Sequence, residues 1–192
     1  MKFIVTILLL IVSVNVEAKL SAFLVANQYN TDVKLNSGYL GSVTIGQTET
    51  ITNYGAGLGL QIPINSKWNF EIDAIYLGRG YKDTTTEYSW WNLQIPLMGR
   101  IWQSPTLSGL VGVVATNAMG EQKQKDILTG TESEKSIDEV MSATDMSAVI
   151  GIGLNLNNLL LDLRMTFGLT DLDKDSTTTT SKEIQLLVGW YF

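Results

Sequence analysis

The sequence predicts an all-β fold: an eight-stranded antiparallel transmembrane up-and-down β-barrel. Eight segments alternate apolar and polar residues with a period of two, which is the side-chain repeat of a β-strand. The connections between the segments are alternately long and short, and the last segment ends on an aromatic residue, Phe192. An even number of such segments with connections of two lengths is typical of membrane barrels. The predicted strands are 19–28, 50–62, 68–81, 89–102, 106–117, 145–156, 159–170 and 182–192.

The N-terminal segment that precedes the first strand predicts export. Lys2 is followed by an almost unbroken apolar run from Phe3 to Val14, and Val16-Glu17-Ala18 offers small residues at the −3 and −1 positions of a cleavage site. The run is shorter than the ~20 residues that a transmembrane helix needs. We therefore expect a cleaved signal peptide over 1–18 and one barrel domain over 19–192.

The fourth, seventh and eighth strands alternate most clearly. In the fourth, Trp91, Leu93 and Ile95 share one face, and the other face is mostly polar. Pro96 has no backbone N–H to give to a neighbouring strand, so we expect a β-bulge there. The alternation does not settle which faces of the first and fifth strands, 19–28 and 106–117, point outward.

The connections divide the barrel into two unequal ends. The short connections are expected on the periplasmic side, together with both termini, and the long ones outside the cell. The long connections hold most of the excess acid behind the net charge of −6. The long set is 29–49, 82–88, 118–144 and 171–181, and the short set is 63–67, 103–105 and 157–158.

The same alternation would also fit a soluble barrel whose apolar face points inward. Two features favour the membrane. The polar faces carry few charges, and aromatic residues lie near both strand ends, as in the interfacial girdles of membrane barrels. We therefore expect the outer membrane of a Gram-negative bacterium, after export to the periplasm. The aromatic residues are Trp68, Trp102, Trp190 and Phe192 at the periplasmic end and Tyr54, Tyr76, Trp90 and Trp91 at the external end.

The composition removes several kinds of chemistry. The chain has no cysteine and no histidine, which excludes disulfides, thiolate or imidazole metal sites, and Ser-His-Asp catalysis. We expect no enzyme activity, no catalytic residue, no cofactor and no metal. The pI of about 4.6 argues against nucleic acid as a partner.

Three segments carry a resemblance to a known family. Leu93-Gln94-Ile95-Pro96-Leu97, then the run from Leu161 to Asp171, then Val188-Gly189-Trp190-Tyr191-Phe192, resemble the small outer-membrane β-barrel domain family. That family is common in Bacteroidota-type genomes, includes PorT-like proteins, and is related in architecture to OmpA- and OmpX-like eight-stranded barrels. The resemblance implies a scaffold and no chemistry.

Three groups of residues are candidate functional features. The first is a charge network inside the lumen, which either fills the interior or forms a gate that rearranges for small solutes. The second is an assembly signal on the last strand. The third is a set of loop acids for recognition, with a solvated acidic loop and divalent-cation binding as alternatives; no Asp-x-Asp-x-Asp-Gly calcium spacing occurs. The groups are Glu71, Asp73, Arg100, Asp162 and Arg164; Phe192, Trp190 and Val188; and Glu121, Asp126, Glu132, Glu134, Asp138 and Glu139.

The sequence therefore predicts a non-enzymatic integral outer-membrane barrel with a plugged lumen and a structural or surface-interaction role through its acidic external loops. The alternatives are a narrow porin-like channel for small solutes, or a barrel subunit of a secretion or envelope-assembly complex. The expected partners are outer-membrane lipid, lipopolysaccharide, the barrel-assembly machinery, and an extracellular or envelope protein of unknown identity.

Overall fold

A computed structural model of the chain shows ten β-strands in one sheet. It describes residues 18–37, 41–47, 49–82, 84–137, 144–170 and 177–192. The strands are β1 (Lys19–Ser37), β2 (Gly41–Gln47), β3 (Glu49–Pro63), β4 (Trp68–Lys82), β5 (Thr86–Trp102), β6 (Leu107–Asp126), β7 (Glu132–Ser136), β8 (Thr144–Leu156), β9 (Leu159–Gly168) and β10 (Thr177–Tyr191).

Eight of these strands form a closed antiparallel barrel, as predicted. Their order around the wall is β10-β9-β8-β6-β5-β4-β3-β1, and β1 pairs with β10 to complete the ring. The closing ladder runs from Ser21↔Tyr191 to Leu35↔Thr177. Closure pairs the strand edges that would otherwise be free to bind another chain.

The two remaining strands lie in connections that the sequence predicts as loops, and that part of the prediction is wrong. β1 continues to Ser37 and pairs with β2, and β6 continues to Asp126 and pairs with β7. The β6 extension and β7 contain only polar residues, so the apolar period that marks the wall strands is absent from them. The β1 extension and β2 do alternate, at Val33 and Leu35 and at Val43 and Ile45, and the prediction ended the strand too early. The hairpin formed by residues 121–136 is called the external ribbon below.

The periplasmic end holds the three short turns. In the β8–β9 hairpin Asn157 has a φ of 63°, which a two-residue turn requires at its first central position. The β3–β4 turn is held by Asn65 Oδ1, which accepts the backbone N–H groups of Lys67 and Trp68 at 2.9 and 3.0 Å. Short, locally satisfied turns of this kind fix the register of the strands they join.

The wall strands turn their apolar faces outward. On β9 Leu163, Met165 and Phe167 are exposed while the alternate residues, including Arg164, are buried. On β10 Ile184, Leu186, Val188 and Trp190 are exposed in the same way. In a membrane these outward faces meet lipid, and the buried faces line the lumen.

Two details differ from the expectations, and a third point was left open by the sequence. Trp90 is only 5% exposed and points into the lumen, so it does not belong to the external aromatic girdle. No bulge forms at Pro96: the β5–β6 register runs unbroken through it, and its missing N–H costs only a local gap in the β4–β5 ladder. On β1 the inward face includes Phe23 and Val25, because the middle of the lumen is apolar.

Some expectations lie outside the described residues. These are residues 1–17 of the predicted signal peptide 1–18, the loop acids Asp138 and Glu139, and most of the connection 171–181. Within the described part of the chain, no helix has the length and apolar character needed to cross a membrane.

Candidate functional site: the lumen and the external ribbon

The inward side chains form three layers along the barrel axis. β4 shows the order from the periplasmic end: Glu71 and Asp73, then Ile75 and Leu77, then Arg79. β10 shows the same order in reverse, from Glu183 through Leu187 to Tyr191. The lumen is thus a charged layer, an apolar layer and a second charged layer.

Arg100 is the centre of the periplasmic layer and is fully buried. Its guanidinium binds Glu71 through Nε and Nη2 at 2.7 and 3.2 Å, and Asp162 through Nη1 and Nη2 at 3.1 and 2.7 Å. The Nη1 group also donates to Ser108 Oγ at 2.9 Å. The fork of N–H groups on an arginine suits two carboxylates at once, which a lysine ammonium does not.

Arg164 joins the remaining acid to this layer. Its Nη1 donates to Asp73 at 2.6 Å, and its Nη2 donates to Glu71 at 2.8 Å and to Asp162 at 2.7 Å. All five luminal charges named from the sequence therefore meet in one network. Their shared contacts tie β4 to β5 and β9 across the lumen, since the charges lie on those three strands.

Two glycines make room for these charges. A Cβ atom on Gly153 would lie 2.3 Å from Arg100 Nη1 and 2.5 Å from Asp162 Oδ1. A Cβ on Gly59 would lie 2.5 Å from Asp73 Oδ1. Glycine at these positions lets the neighbouring strands hold bulky charged groups without widening the barrel.

The middle layer is apolar. Phe23 and Leu187 pack with residues of β1 and β4, and a second group contains Met98. Gln94 of β5 makes polar contacts with β10: its amide donates to Glu183 at 2.9 Å, and its Oε1 accepts from Gln185 at 2.8 Å. The full apolar groups are Phe23, Val25, Ile75, Leu77 and Leu187, and Met98, Val114 and Val149.

The external layer is built on Arg79. Its Nη2 donates to Glu183 at 2.8 Å, its Nη1 lies 3.9 Å from Asp145, and its guanidinium stacks 4.8 Å from the centre of the Tyr29 ring. Glu183 also accepts a hydrogen bond from Asn27. Asp145 is held by the hydroxyls of neighbouring residues, including Thr170 at 2.6 Å.

An aromatic cap covers the external layer. Tyr29 and Trp90 meet edge to face with their ring centres 5.6 Å apart, and Ile137 packs on them. Ile137 follows directly after β7, so the chain leaving the external ribbon returns over the mouth of the lumen. Among the described residues, the lumen is therefore occupied by side chains at all three levels.

Sequence reasoning missed part of this interior. Asp145 belongs to the external layer, and a signal for it exists: Met146, Ile150 and Ile152 are apolar and outward, so the alternate positions, Asp145 included, must face inward. Trp90 has the same kind of signal, since it continues the inward, even-numbered face of β5 that includes Asn92 and Gln94. Ile137 has no comparable signal, since it lies just after the end of β7.

The external ribbon pairs most of its charges across its two strands. Lys123 lies opposite Glu134 and Lys125 opposite Glu132, with ion-pair distances of 3.4 and 3.7 Å. These pairs are exposed, so each adds little stability. Glu121 lies opposite Ser136 and has no such cross-strand ion pair.

Asp126 shapes the turn at the tip of the external ribbon. Its Oδ1 accepts the backbone N–H groups of Leu128 and Thr129 at 2.9 and 2.8 Å. These hydrogen bonds, those from Thr129 foremost, lower the pKa of the Asp126 carboxyl below its ordinary value. Asp126 thus has a structural task in the turn, in addition to any contact with a partner.

The last strand places the candidate assembly signal on the lipid-facing side. Val188 and Trp190 are exposed, and Phe192 is 79% exposed with its backbone N–H donating to Leu20 at 2.9 Å. Across the described ranges, no group of three or more acids is arranged to hold a metal ion.

A closed eight-stranded wall with an apolar outer face and a charged interior defines the class: an outer-membrane β-barrel. The family described as "Outer membrane protein beta-barrel domain" matches residues 12–174, and the chain belongs to that family. No curated protein sequence matches the chain.

Solved structures share the fold. The attachment invasion locus protein Ail of Yersinia pestis, solved in complex with the heparin analogue sucrose octasulfate, is 16% identical with a TM-score of 0.51, and the match covers 92% of this chain and 99% of Ail. Neisserial surface protein A (NspA) is 12% identical with a TM-score of 0.51, covering 89% of this chain and 97% of NspA. At these identities the likeness shows the fold alone.

Proposed function

We propose that this protein is a non-enzymatic outer-membrane barrel with a closed lumen, and that it acts as a structural or surface-interaction protein through its external ribbon. The observation that supports the proposal is the occupied interior: among the described residues, three layers of side chains lie in the lumen and are tied together by buried ion pairs. An eight-stranded barrel is about wide enough for side chains to fill it.

The external ribbon is the other half of the proposal. It extends the β6 strand beyond the wall. The β6 part exposes Glu121, Lys123 and Lys125 on one face while Gln122 on the other face is buried, and every residue of β7 is exposed. Protruding segments on a rigid scaffold commonly carry recognition. Outside the two cross-strand Lys–Glu pairs the ribbon has two acids, Glu121 and Asp126, and one cation, Lys135. The remaining charge is negative and favours a partner with basic groups.

Site-specific photo-crosslinking tests this role. A crosslinking amino acid is placed at Glu121 on the external ribbon or, as a matched control, at Ser104 in a periplasmic turn, and cells are irradiated. We expect a discrete adduct from position 121 that disappears when excess purified ribbon peptide is added outside the cells. An adduct from position 104 alone would contradict a surface role for the ribbon.

A second candidate function, the narrow channel, has one observation in its favour. The described lumen holds five acids and three arginines, so its charged layers carry an excess of negative charge, which favours cations. Conductance of the purified protein separates this candidate from the closed barrel.

We also propose that the mature chain begins at Lys19, after removal of residues 1–18. The first strand of the barrel begins at that residue. The intact mass of protein purified from outer membranes tests this boundary: a mass that includes residues 1–18 would contradict it.

A further inference from the structure

The barrel wall is interrupted between β3 and β4 near the external end. The ladder pairs Thr50 with Tyr81 and resumes at Gly55 with Leu77, with a register shift between them. Residues 51–54 therefore face residues 78–80 without bridge pairs, although both segments still pair with their other neighbours, β1 and β5. The interruption is a seam in the wall.

A second irregularity lies close by, on the other side of β4 and β5. The β5–β6 register shifts between Ser89 and Trp91: residues 120–122 of β6 lie opposite the single residue Trp90, so the bulge is on β6, and Gly120 within it has a φ of 80°. Bulges in a sheet locally turn a side chain out of its regular direction and are common next to binding sites.

A crevice of about 320 Å³ occupies this part of the wall. Its volume falls within the range of small-ligand sites, about 300–1,000 Å³. Its lining mixes residues of the outer surface with residues of the lumen. The lining residues that matter here are Asn53, Tyr54, Arg79, Trp90, Trp91 and Glu121.

The inner part of the crevice presents a buried donor. Arg79 is 3% exposed, and its Nε has no hydrogen-bond partner within the described part of the chain. A buried N–H of a charged group that lacks an acceptor is costly, so an oxygen of a molecule bound in the crevice would gain a hydrogen bond here. Arg79 and the buried Trp90 both line the crevice, so a molecule entering it meets a charged donor and an indole.

The surrounding charge decides which oxygen fits. Glu183 and Asp145 already lie 2.8 and 3.9 Å from the Arg79 guanidinium, and Glu121 lines the crevice. Lys123 also lines the crevice, but it already forms an ion pair with Glu134 at 3.4 Å. The acids around the crevice outnumber Arg79 and Lys123, so an anionic group such as a phosphate would be repelled at close range. An uncharged hydroxyl oxygen accepts the hydrogen bond without that cost.

The outer part of the crevice is aromatic and faces lipid. Tyr54 is 70% exposed, and Trp91 stacks on Tyr76 with ring centres 4.8 Å apart, both on the outward face at the external girdle. Aromatic rings offer an apolar face and a polar edge at the membrane interface. Together with the buried donor, they match the apolar face and hydroxyl groups of a sugar ring.

We propose that this crevice binds the uncharged sugar headgroup of a glycolipid in the outer leaflet. The sugar ring lies against the aromatic side chains, one hydroxyl accepts from Arg79, and the lipid chains run down the outward face of β3 and β4. Glu121 belongs both to the crevice and to the external ribbon. Lipid binding to the purified barrel is measured without any protein partner, so its failure can be told apart from a failure of the proposed function.

A filled-crevice variant tests the site. A Cβ atom on Gly78 would meet Asn53 and Tyr54 at 3.5–3.6 Å, ordinary contact distances, so Gly78→Leu directs a side chain into the crevice without backbone strain. Gly109→Leu is the matched control, because a Cβ there meets nothing within 4 Å. Tyr54→Ala is a second variant, with Leu58→Ala, on the same strand and about equally exposed, as its control.

The measurement is native mass spectrometry of the full-length barrel in a non-glycosidic detergent. It is titrated with glucosyl-diacylglycerol, phosphatidylcholine and phosphatidic acid of identical acyl chains, and with soluble methyl glucoside. We expect tightest binding of the glucosyl lipid, about tenfold weaker binding after Gly78→Leu or Tyr54→Ala, and unchanged binding in the two controls.

Other outcomes overturn the proposal. Equal affinity for all three lipids would show that the crevice does not recognise the sugar headgroup. Tightest binding of phosphatidic acid would show that the crevice prefers an anionic headgroup to an uncharged one. Methyl glucoside binding as tightly as the glucosyl lipid would make the ligand a soluble sugar. Equal losses in the crevice variants and their controls would place the binding elsewhere on the barrel.

Discussion

Removal of the Arg164 charge is the most informative perturbation of the lumen. Arg164 makes three contacts of 2.6–2.8 Å to three buried carboxylates. In Arg164→Met the side chain keeps much of its length and loses its charge. Asp73 then has no cation, and Glu71 and Asp162 must share Arg100 alone.

The expected cost follows from this loss of pairing. Breaking a buried ion pair by removing one partner destabilises a protein by about 3–5 kcal/mol, since an uncompensated charge stays behind. That range corresponds to roughly two to four powers of ten in the folding equilibrium constant. A second substitution, Asp73→Asn, removes the carboxylate with the fewest other contacts and should recover on the order of 1–3 kcal/mol in the Arg164→Met background.

The assay is reversible urea unfolding of the barrel in phosphatidylcholine vesicles, followed by tryptophan fluorescence and by the shift in gel mobility between folded and unfolded barrel. Lys125→Met is the control, because Lys125 forms an exposed pair with Glu132 at 3.7 Å and should cost less than about 1 kcal/mol. If Arg164→Met costs no more than Lys125→Met, the buried network does not stabilise the barrel and the reasoning is refuted.

Three further predictions rest on other contacts. Gly153→Ala should lower the urea midpoint strongly, because the new methyl group collides with the Arg100–Asp162 pair. Gly109→Ala should leave the midpoint unchanged. Equal midpoints in the two variants would contradict the claim that Gly153 makes room for this ion pair. The lowered pKa of Asp126 means that its stabilisation of the ribbon turn is complete above its unfolded pKa of about 3.9 and is lost as the pH falls through the lower folded value; the Thr129 amide should exchange with solvent faster at pH 2.5 than at pH 5 once intrinsic rates are divided out. Deletion of Phe192 should reduce the heat-modifiable, membrane-inserted fraction while export continues, and normal insertion would count against its role in assembly.

The strands of the barrel wall were predictable because lipid-facing and lumen-facing residues alternate along each of them. In β5, β9 and β10 the lipid-facing residues repeat every second position, so the alternation alone locates each strand and its outward face. The five charges of the periplasmic layer followed from the same alternation, since a charge within a membrane-spanning strand has to face the lumen.

The interior was only partly predictable, because some strands are apolar on both faces at the level of the middle layer. Alternation then does not show which face points into the lumen. Phe23 and Val25 on β1 point inward beside Gly57, whose added Cβ would meet the Phe23 ring at 2.4 Å. Such packing depends on which glycine of a neighbouring strand lies opposite. That pairing is fixed by register and closure, which local sequence does not reveal.

The external ribbon and the seam were hidden for a related reason. Both depend on where ladders continue or stop rather than on composition. Residues 121–126 are polar on both faces and still form a strand because β7 folds back on them. Residues 51–54 read as an ordinary wall strand, yet their ladder to β4 is missing.

Conductance across a planar lipid bilayer tests the central claim most directly. The wild-type barrel, inserted from purified protein, should give no steady single-channel steps, because the charged layers and the apolar layer between them occupy the lumen. The folded Arg100→Ala variant should conduct more, since it removes the guanidinium that binds Glu71 and Asp162. Steady, cation-selective steps from the wild-type barrel would contradict the closed lumen and establish the narrow channel instead.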